Sequence, residues 1–333
     1  MNVALWRGHI PLMLLVVLLM LSVACRREVA PPPPLRIVHG LWAGYYALDV
    51  ASETTDSTRA LGTGADAMRL ATITIHTSPS DLYADFAGGS FDAVAGSLPD
   101  LLRLQQSVRD LKIVVCTDES NGADALIAAA PFPSIGALRG KRIAIAPGTF
   151  VQVLLAQALE REGLHMQDVE IITTTASHAV HLLQSDSVEA IVTWSPPLDA
   201  VRQPPYHILY SSSQTPGLIL QCLAVRKHIL ETRANTVRQL VSRLLALSTT
   251  YADSADALRP LAARAQGRPV SALPPAIGMR WLTPQENRQL LRAGGDGTLK
   301  QSAEPHIRYL TEIGGLRSRP DFRVLMTSDF LPP

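Results

Sequence analysis

The sequence predicts an α/β protein built from two similar lobes, and three observations support that prediction. The chain has 333 residues, of which 47% are hydrophobic and 18% are charged, enough for a large core and two lobes. Its predicted strands are apolar on both sides, as in parallel sheets covered by helices on both faces. A pattern in the first half also recurs in the second. Together these features indicate two parallel sheets, each covered by helices.

The repeat joins three pairs of segments in the same order. The matching pairs are residues 35–46 with 141–152, 73–90 with 170–187, and 91–101 with 188–198. The last pair, FDAVAGSLPDL and VEAIVTWSPPL, shares an acid, an alanine, a short apolar run, a proline and a leucine at one spacing. Each half is therefore predicted to be a β-α-β-α-β unit. Chance similarity between two α/β units is the alternative, because each match is short.

The N-terminus has the features of an export signal. Arg7 precedes an apolar run from Leu12 to Ala24, which is shorter than the roughly 20 residues of a transmembrane helix. The sequence LSVAC, ending at Cys25, is similar to a bacterial lipobox, although Ser22 stands where leucine is usual. We expect a signal peptide at 1–24, lipidation of Cys25 and a membrane-anchored protein on the periplasmic or cell-surface side. Ordinary secretion and an uncleaved anchor are the alternatives.

The rest of the chain divides into a tether and two lobes. Four prolines at 31–34 make a stiff, extended tether. A long helical tail follows residue 226 and is expected to return to the first lobe, so the chain crosses twice, near 113–118 and 219–224. The predicted boundaries are 25–34 for the lipidated cysteine and tether, 35–117 plus 223–333 for lobe 1, and 118–222 for lobe 2.

Two helices of the tail are predicted directly from the sequence. Residues 236–250 carry apolar side chains at helical spacing. TPQE at 283–286 has the pattern of a capping box, with Pro284 at the first helical position. Both helices are expected to cover lobe 1.

Candidate ligand contacts lie where the strands of each half end. Ligands of parallel α/β sheets bind beyond the carboxyl ends of the strands, where helices begin. The candidates at these ends are Trp42, Gly44, Tyr45, Ser78, Ser97, Thr149 and Trp194. Each also has a structural interpretation: the aromatic residues could lie in the core, and Ser78 and Thr149 could be helix caps. Asp92 and Glu189 begin strands in both halves and are expected to be structural.

Several classes of function are disfavoured. The net charge is +1 and no basic stripe is present, so nucleic acid is not an expected partner. The sequence lacks GxSxG, HExxH, Walker and CxxC motifs, and the nine histidines have no metal-binding spacing. Asp118 and Glu119 could serve as an acid and a base, but no other group converges on them. We therefore predict no catalytic residues, cofactor or metal, and no enzymatic activity.

Five segments in order resemble the periplasmic substrate-binding proteins of nitrate/sulfonate/taurine-type ABC importers, a group related to the thiamine-pyrimidine-synthase-like proteins. The segments are GLWAGYYALDVA, DESNGADALIA, LRGKRIAIAPGTF, VEAIVTWSPPL and SSSQTPGLILQCLAV. The resemblance covers roughly residues 35–330. It implies a type II periplasmic-binding-protein fold, in which two α/β lobes joined by two hinge strands close on a small molecule. It further implies an ABC permease and ATPase as partners, and a monomer.

The resemblance also assigns residues to the ligand. It implies contacts from Trp42, Gly44 and Tyr45 in the first lobe and from Trp194 in the second. At the first hinge it implies Ser120, Asn121 and Gly122, with Asp118 beside them. The pyrimidine-synthase enzymes carry a cysteine-rich iron motif, and its absence here argues against that activity.

The identity of the ligand stays open at this point. Sulfonate, nitrate or bicarbonate would require N–H donors, such as those of an arginine, and no arginine lies in the loops assigned to the cleft. Asp118 and Glu119 near the cleft would instead favour a cation or a donor-rich ring, together with the aromatic residues. A heterocycle or amine is therefore as strongly expected as a small anion. A ligand-sensing or scaffold lipoprotein without a transport role is the alternative function.

Cys116 and Cys222 fall in the two predicted crossing strands, which lie side by side in this fold. They could form a disulfide across the hinge or remain buried thiols. Free thiols are favoured, because the geometry between strands often fails to meet that of a disulfide.

Overall fold

The structure is a computed structural model that describes residues 32–53, 69–146, 149–292 and 297–333. The predictions for residues 1–24, Cys25 and the side chain of Thr149 fall outside these described parts. Residues Leu35–Pro333 form one compact unit.

Within the described residues, ten of the eleven strands lie in roughly the first two thirds of the chain, and the last third is mainly helical. The strands are β1 Leu35–Gly40, β2 Ala71–His76, β3 Ala93–Ser97, β4 Leu111–Ser120, β5 Asp124–Ala129, β6 Arg142–Ile145, β7 Glu170–Thr173, β8 Ala190–Trp194, β9 Tyr206–Ser211, β10 Leu220–Arg226 and β11 Met279–Trp281. The helices are α1 Tyr46–Ser52, α2 Pro79–Ala87, α3 Leu98–Leu104, α4 Thr149–Glu160, α5 Ala176–Gln184, α6 Lys227–Thr232, α7 Ala234–Thr250, α8 Arg259–Ala265, α9 Pro284–Leu290, α10 Leu299–Glu312 and α11 Phe322–Leu325.

The strands form two sheets that contain the predicted repeat. The first sheet has the order β11-β4-β10-β3-β1-β2, and the second has the order β7-β6-β8-β5-β9. In the first, β1 runs parallel to both β2 and β3. In the second, β6 runs parallel to both β7 and β8. The two β-α-β-α-β units predicted from the sequence are therefore present, with matching topology.

An acid directly precedes the third strand of each unit, Asp92 buried and Glu189 half-buried. Asp92 accepts from the backbone N–H and the guanidinium of Arg36 on β1. Glu189 accepts from the same two groups of Arg142 on β6. Each acid therefore ties the third strand of its unit to the first, which is the structural role predicted for both.

Each sheet is covered on both faces by apolar side chains. One face of the first sheet packs against α1 and α7, and the other against α2, α3 and α10. The second sheet packs against α4 on one face and α5 on the other. This double covering explains why the strand sequences are apolar on both sides.

The helical tail has the elements predicted for it. Helix α7 spans Ala234–Thr250 and buries its apolar face in the core of the first lobe. Thr283 and Glu286 form the capping box at the start of α9, with Pro284 in its first turn. Helix α10 also reaches the second lobe, since Tyr309 packs against the core around α4. None of the described helices is long and apolar enough to cross a membrane.

The chain passes between the two sheets twice. The first crossing lies between the end of β4 at Ser120 and the start of β5 at Asp124, and the second lies between Ser211 and Leu220. Strand β4 therefore continues in the first sheet beyond residue 118, and β10 rejoins that sheet at residue 220. The crossings expected near 113–118 and 219–224 are displaced to the ends of these strands. We call the parts of the chain around the first and the second sheet lobe 1 and lobe 2, so Asp118, Gln221 and Cys222 lie in lobe 1. The predicted boundaries at 117/118 and 222/223 stay a prediction.

Candidate functional site

The first crossing is bordered by a group of side chains from lobe 1. We call Trp42, Gly44, Tyr45, Asp118 and Gln221 the crossing cluster. Trp42, Gly44 and Tyr45 follow β1, where a short 3-10 turn over Ala43–Tyr45 leads directly into α1. Asp118 lies near the end of β4, and Gln221 near the start of β10.

Trp42 and Asp118 are joined by a hydrogen bond. The half-buried indole donates from Nε1 to Oδ1 of Asp118, with 2.8 Å between the atoms. The other carboxyl oxygen, Oδ2, accepts from the hydroxyl of Thr117 at 2.7 Å. Asp118 is fully buried, so these two donors replace the water it would bind in an unfolded chain. The carboxyl group thereby fixes the orientation of the tryptophan ring.

Gly44 is the residue that allows this contact. A Cβ atom at this position would lie 2.3 Å from Oδ2 of Asp118 and 2.3 Å from Nε1 of Trp42. The carbonyl oxygen of Gly44 accepts a hydrogen bond from the indole of Trp281 at 2.9 Å. The turn after β1 is therefore held against both β4 and β11.

Tyr45 is the member of the cluster that contacts Gln221 on β10. Its hydroxyl donates to Oε1 of Gln221 at 2.7 Å, and its ring packs on His39 with 4.8 Å between centroids. Gln221 pairs in register with Asp118 on one side and with Ser97 on the other. Sequence reasoning did not single out Gln221, and its register in the sheet is what brings it to the cluster.

Burial changes the acidity of two carboxyl groups at the crossing. Loss of hydration raises the pKa of Asp118 to about 7, although the hydrogen bonds from Thr117 and Trp42 favour the charged form. Burial likewise raises the pKa of Asp124 to about 7, opposed by a hydrogen bond from Ser120 and by the charge of Arg202. Both groups can therefore change charge near neutral pH.

Glu119 has a structural role, although it neighbours Asp118 in sequence. Its Oε1 accepts from Nε and Nη2 of Arg280 at 3.0 and 2.8 Å, and its Oε2 accepts from the backbone N–H of Gly217 at 2.9 Å. Successive residues of a strand point to opposite faces, which separates it from Asp118. Glu119 therefore fastens β11 and the second crossing to β4.

The two crossings are hydrogen-bonded to one another through Ser212. The Oγ of this buried serine lies 2.7 Å from Oγ of Ser120 and accepts from the backbone N–H of Gly122 at 2.7 Å. Gly122 has a φ of 101°, which glycine adopts without strain. Asn121 is exposed, and its backbone N–H donates to the carbonyl of Gly278. The predicted residues Ser120 and Gly122 thus lie at the first crossing with hydrogen bonds to the second, and Asn121 lies on its surface.

Trp194 borders the crossing from lobe 2. It ends β8 directly beside Asp124, the first residue after the crossing. Its half-buried ring meets that of Phe150 edge-on, with 5.4 Å between centroids. The tryptophans predicted in the two halves therefore lie beside residues at opposite ends of one short crossing.

Arg202 also lies at this crossing, although no arginine was expected there from the sequence. Nη2 of Arg202 donates to the carbonyl of Gly122 at 3.0 Å and to Oγ of Ser195 at 3.2 Å, while Nε donates to Asp199. Arg202 follows a 3-10 turn over Pro197–Val201, outside the loops assigned to the cleft. Its place depends on how that turn folds back on β5, so the spacing of the sequence alone gave no signal.

The remaining predicted residues lie at helix starts. Ser97 is buried, and its hydroxyl donates to Oδ2 of Asp100 at 2.6 Å. The hydroxyl of Tyr83 donates to the same oxygen at 3.3 Å. Ser78 accepts from the N–H of Asp81 and bonds to Ser80 within its own turn. Both serines are therefore helix caps, which is the structural alternative given for Ser78. Thr149 is the first residue of α4.

The described parts of the chain contain no cluster of three or more His, Cys, Asp or Glu residues that could hold a metal ion. The crossing cluster offers indole, phenol, amide and carboxyl groups, with a guanidinium nearby. Such groups suit hydrogen bonding and stacking with a small polar molecule.

Comparison with known proteins gives the fold, and a family match over part of the chain. Residues 109–252 match the model of the NMT1/THI5-like family. The structure is similar to a periplasmic sulfonate-binding protein of an ABC transporter from Methylobacillus flagellatus KT, with a TM-score of 0.65 and 16% identity, covering 90% of this chain and 92% of that one. This is a periplasmic-binding-protein fold. The resemblance to the nitrate/sulfonate/taurine group and the predicted two-lobed fold are confirmed.

Two further structures share this binding-protein fold. The periplasmic nitrate-binding protein from Synechocystis PCC 6803 has a TM-score of 0.63 and 10% identity, with 89% of this chain and 86% of that chain covered. The desulfurization enzyme DSZB has a TM-score of 0.61 and 14% identity, with 89% and 97% covered. Most of the similar structures are binding proteins, but the fold also carries an enzyme.

Similarity in sequence is confined to a shorter segment. A binding protein from Brucella abortus (strain 2308) is 29% identical over 90 residues, which is 27% of this chain and 28% of that protein. The match thus spans less than a third of the curated relative.

Proposed function

We propose that this chain is an extracytoplasmic solute-binding protein that captures a small molecule between its two lobes and delivers it to an ABC importer. The observation that carries the proposal is the placement of two tryptophans at one crossing. Trp42 is hydrogen-bonded to Asp118 just before the crossing, and Trp194 lies beside Asp124 just after it. A ligand between the lobes would meet an aromatic side chain from each.

Capture would work by closure of the lobes. A ligand shifts the balance between an open and a closed form only if it binds the closed form more tightly. Contacts from both lobes provide that difference, because they exist together only after closure. The crossings joined through Ser212 are short enough to act as the hinge.

The proposed partners are an ABC permease and its ATPase, with the protein acting as a monomer. Similarity to periplasmic binding proteins of ABC transporters supports this assignment. The lipobox-like sequence at Cys25 supports a lipid anchor that holds the lobes near the importer.

The arrangement at the crossing supports two classes of ligand. Both carboxyl oxygens of Asp118 are occupied by donors of the protein, so its main role is to orient Trp42. Arg202 contributes a guanidinium that would suit a sulfonate, nitrate or bicarbonate. The aromatic rings of Trp42 and Trp194 would instead suit an amine or a donor-rich heterocycle.

Binding is tested by a thermal-shift screen and by native mass spectrometry of the purified chain. The panel contains alkanesulfonates, nitrate, bicarbonate, amines and nitrogen heterocycles, and hits are measured by calorimetry. We expect Trp194→Ala to weaken binding at least tenfold. The matched control is Phe132→Ala, because Phe132 is a partly buried aromatic of the same lobe beyond the other end of β5. Equal binding by Trp194→Ala and the wild type would overturn the site.

A second pair of variants separates the ligand classes. Arg202→Gln should weaken binding of an anion strongly and leave binding of an amine or heterocycle nearly unchanged. Arg139→Gln is the control, since Arg139 is an exposed arginine of lobe 2 that pairs with Asp168. Loss of binding in both variants would point to a general effect of charge.

The anchor and the transport role are tested in cells. Radiolabelled fatty acid should be incorporated into the wild type and not into Cys25→Ser. Deletion of the gene should abolish uptake of the identified ligand. If uptake persists and a transcriptional response to the ligand is lost, the sensing alternative replaces transport.

Similarity to a desulfurization enzyme makes catalysis the second candidate function. The two cysteines within the described residues are both fully buried in lobe 1. Incubation of the purified chain with the identified ligand, followed by product analysis, should return the ligand unchanged.

A further inference from the structure

Cys116 and Cys222 are juxtaposed inside lobe 1 at the base of the two crossings. They are direct partners across the antiparallel strands β4 and β10. Both thiols are free and fully buried, and their Sγ atoms lie 2.7 Å apart. We propose that this pair is a redox modification site, at which the two thiols form a disulfide. That bond would join the two ends of the segment that contains lobe 2.

The backbone places the two residues at a distance that suits a disulfide. The N–H of Cys116 donates to Oδ1 of Asn287 at 2.7 Å, and its carbonyl accepts from Nδ2 of the same residue at 2.9 Å. Because these groups bond to Asn287, the two cysteines form a non-hydrogen-bonded pair, whose Cα atoms are typically about 4.5 Å apart. Disulfides span Cα separations of about 4.4–6.8 Å, so closure requires no strand movement.

A bulge in β4 sets this register. The pairing shifts between Gln221 and Cys222, so that Thr117 is an extra residue between Asp118 and Cys116. Asn287 is completely buried, and its side-chain amide makes both of the hydrogen bonds to the backbone of Cys116. The position of Cys116 is therefore fixed on two sides, which keeps the sulfur atoms together.

The long separation of the two cysteines in the chain determines how much the disulfide would stabilise the fold. The two residues are 106 apart in sequence, and the segment between them contains the whole second sheet, β5 to β9. A bridge would enclose lobe 2 in one covalent loop that begins and ends in lobe 1. Long loops restrict the unfolded chain most, so the bridge should raise thermal stability.

Bond formation requires an oxidant, and a disulfide compound supplies it. Each thiol loses one proton and one electron, the sulfur–sulfur bond forms, and the oxidant is reduced to two thiols. Burial raises the pKa of the Cys222 thiol well above its usual range, helped by its contact with Cys116. The reactive thiolate is thus disfavoured in the native protein, so we expect the bond to form during folding, when the strands are accessible.

The bond should leave the crossing cluster intact. Both cysteines face the core formed with α2, α3 and α10, whereas Tyr45 lies in the core on the other face of the sheet. Oxidation is therefore expected to change stability without changing ligand affinity.

The test is to refold the full-length chain in mixtures of oxidised and reduced glutathione. Free thiols are then alkylated after acid quenching, and tryptic peptides are mapped by mass spectrometry. We expect a peptide linking Cys116 with Cys222, lighter than its reduced pair by two hydrogen atoms. The oxidised protein should melt several degrees higher than the reduced protein.

Two variants keep the result interpretable. Cys116→Ala and Cys222→Ala should each melt at one temperature in both redox buffers, whatever their own stability. The proposal is overturned if the refolded wild type gives no linked peptide, if Cys25 forms the links instead, or if the bridged protein melts no higher than the reduced protein.

Discussion

The indole of Trp42 donates to the carboxyl group of Asp118, residues that lie 76 positions apart in the chain. This bond joins the turn after the first strand to the strand that enters the hinge. A substitution at either residue should therefore alter the position or hydrogen bonding of the other, and the proposed binding site should depend on both.

Replacing Trp42 with Phe removes the indole donor but keeps an aromatic ring. We expect the free energy of unfolding to fall by about 1–3 kcal/mol, since a buried carboxyl group loses a partner. A double-mutant cycle with Asp118→Asn, measured by urea denaturation, should give a coupling of at least about 0.5 kcal/mol. Strict additivity of the two changes would show that the bond contributes nothing.

Stability should fall as the pH rises through the range in which Asp118 titrates. Its pKa is raised from an ordinary 3.8 to about 7. Between about pH 4 and pH 7 the folded chain therefore holds a proton that the unfolded chain has released. The contribution of Asp118 to the free energy of unfolding is fully present below about pH 4 and is lost as the pH rises towards 7. The full effect is at most about 4 kcal/mol. Asp118→Asn should flatten this part of the profile, and an unchanged slope would contradict the assignment.

Gly44→Ala should disrupt the crossing cluster. The new methyl group would collide with Asp118 and Trp42, at a cost of about 1–3 kcal/mol. Gly40→Ala is the control, because a Cβ there would meet its nearest atom at 3.9 Å. Thermal melts should separate the two variants, and similar melting temperatures would argue against close packing at Gly44.

Ser212→Ala should loosen the hinge. It removes the acceptor of the partly buried Gly122 N–H and the partner of the buried Ser120 hydroxyl, at a cost of about 1–3 kcal/mol. The control is Ser213→Ala, which changes an exposed neighbour. Hydrogen exchange at Gly122 should accelerate in the first variant and not in the second. Equal exchange in both variants would remove Ser212 from the hinge.

His306 should destabilise the protein in acid. Its Nε2 donates to the carbonyl of Leu218, while burial lowers its pKa from 6.5 to about 4. The unfolded chain therefore binds a proton that the folded chain excludes, so stability is lost as the pH falls from about 6.5 towards 4. His306→Gln keeps a donor for Leu218 and should reduce this loss, measured by urea denaturation at both pH values. A steeper loss in the variant would contradict the prediction.

Much of the architecture was predictable because it depends on patterns within short segments. The repeat gave two β-α-β-α-β units, and Asp92 and Glu189 were correctly interpreted as structural. The capping box at Thr283 and the helix ending at Thr250 were also predicted. These features rest on apolar periodicity and on local hydrogen bonds, which neighbouring residues determine.

The site was only partly predictable, because it joins residues that are distant in sequence. Trp42 and Trp194 were predicted as ligand contacts from their places at strand ends, and they stay predictions. Gln221 and Arg202 were missed, since only sheet register and the fold of a turn bring them to the crossing. The separation of Asp118 from Glu119 likewise follows from strand orientation and not from residue type.

The sequence by itself determined that the protein has two α/β lobes and where their strands end. Only the tertiary structure decided how the polar run at 117–124 is used. Asp118 orients Trp42, Glu119 holds Arg280, and Ser120 joins the second crossing. The physical reason is that burial and partners, which come from other parts of the chain, determine whether a carboxyl group is charged, bonded or open to a ligand.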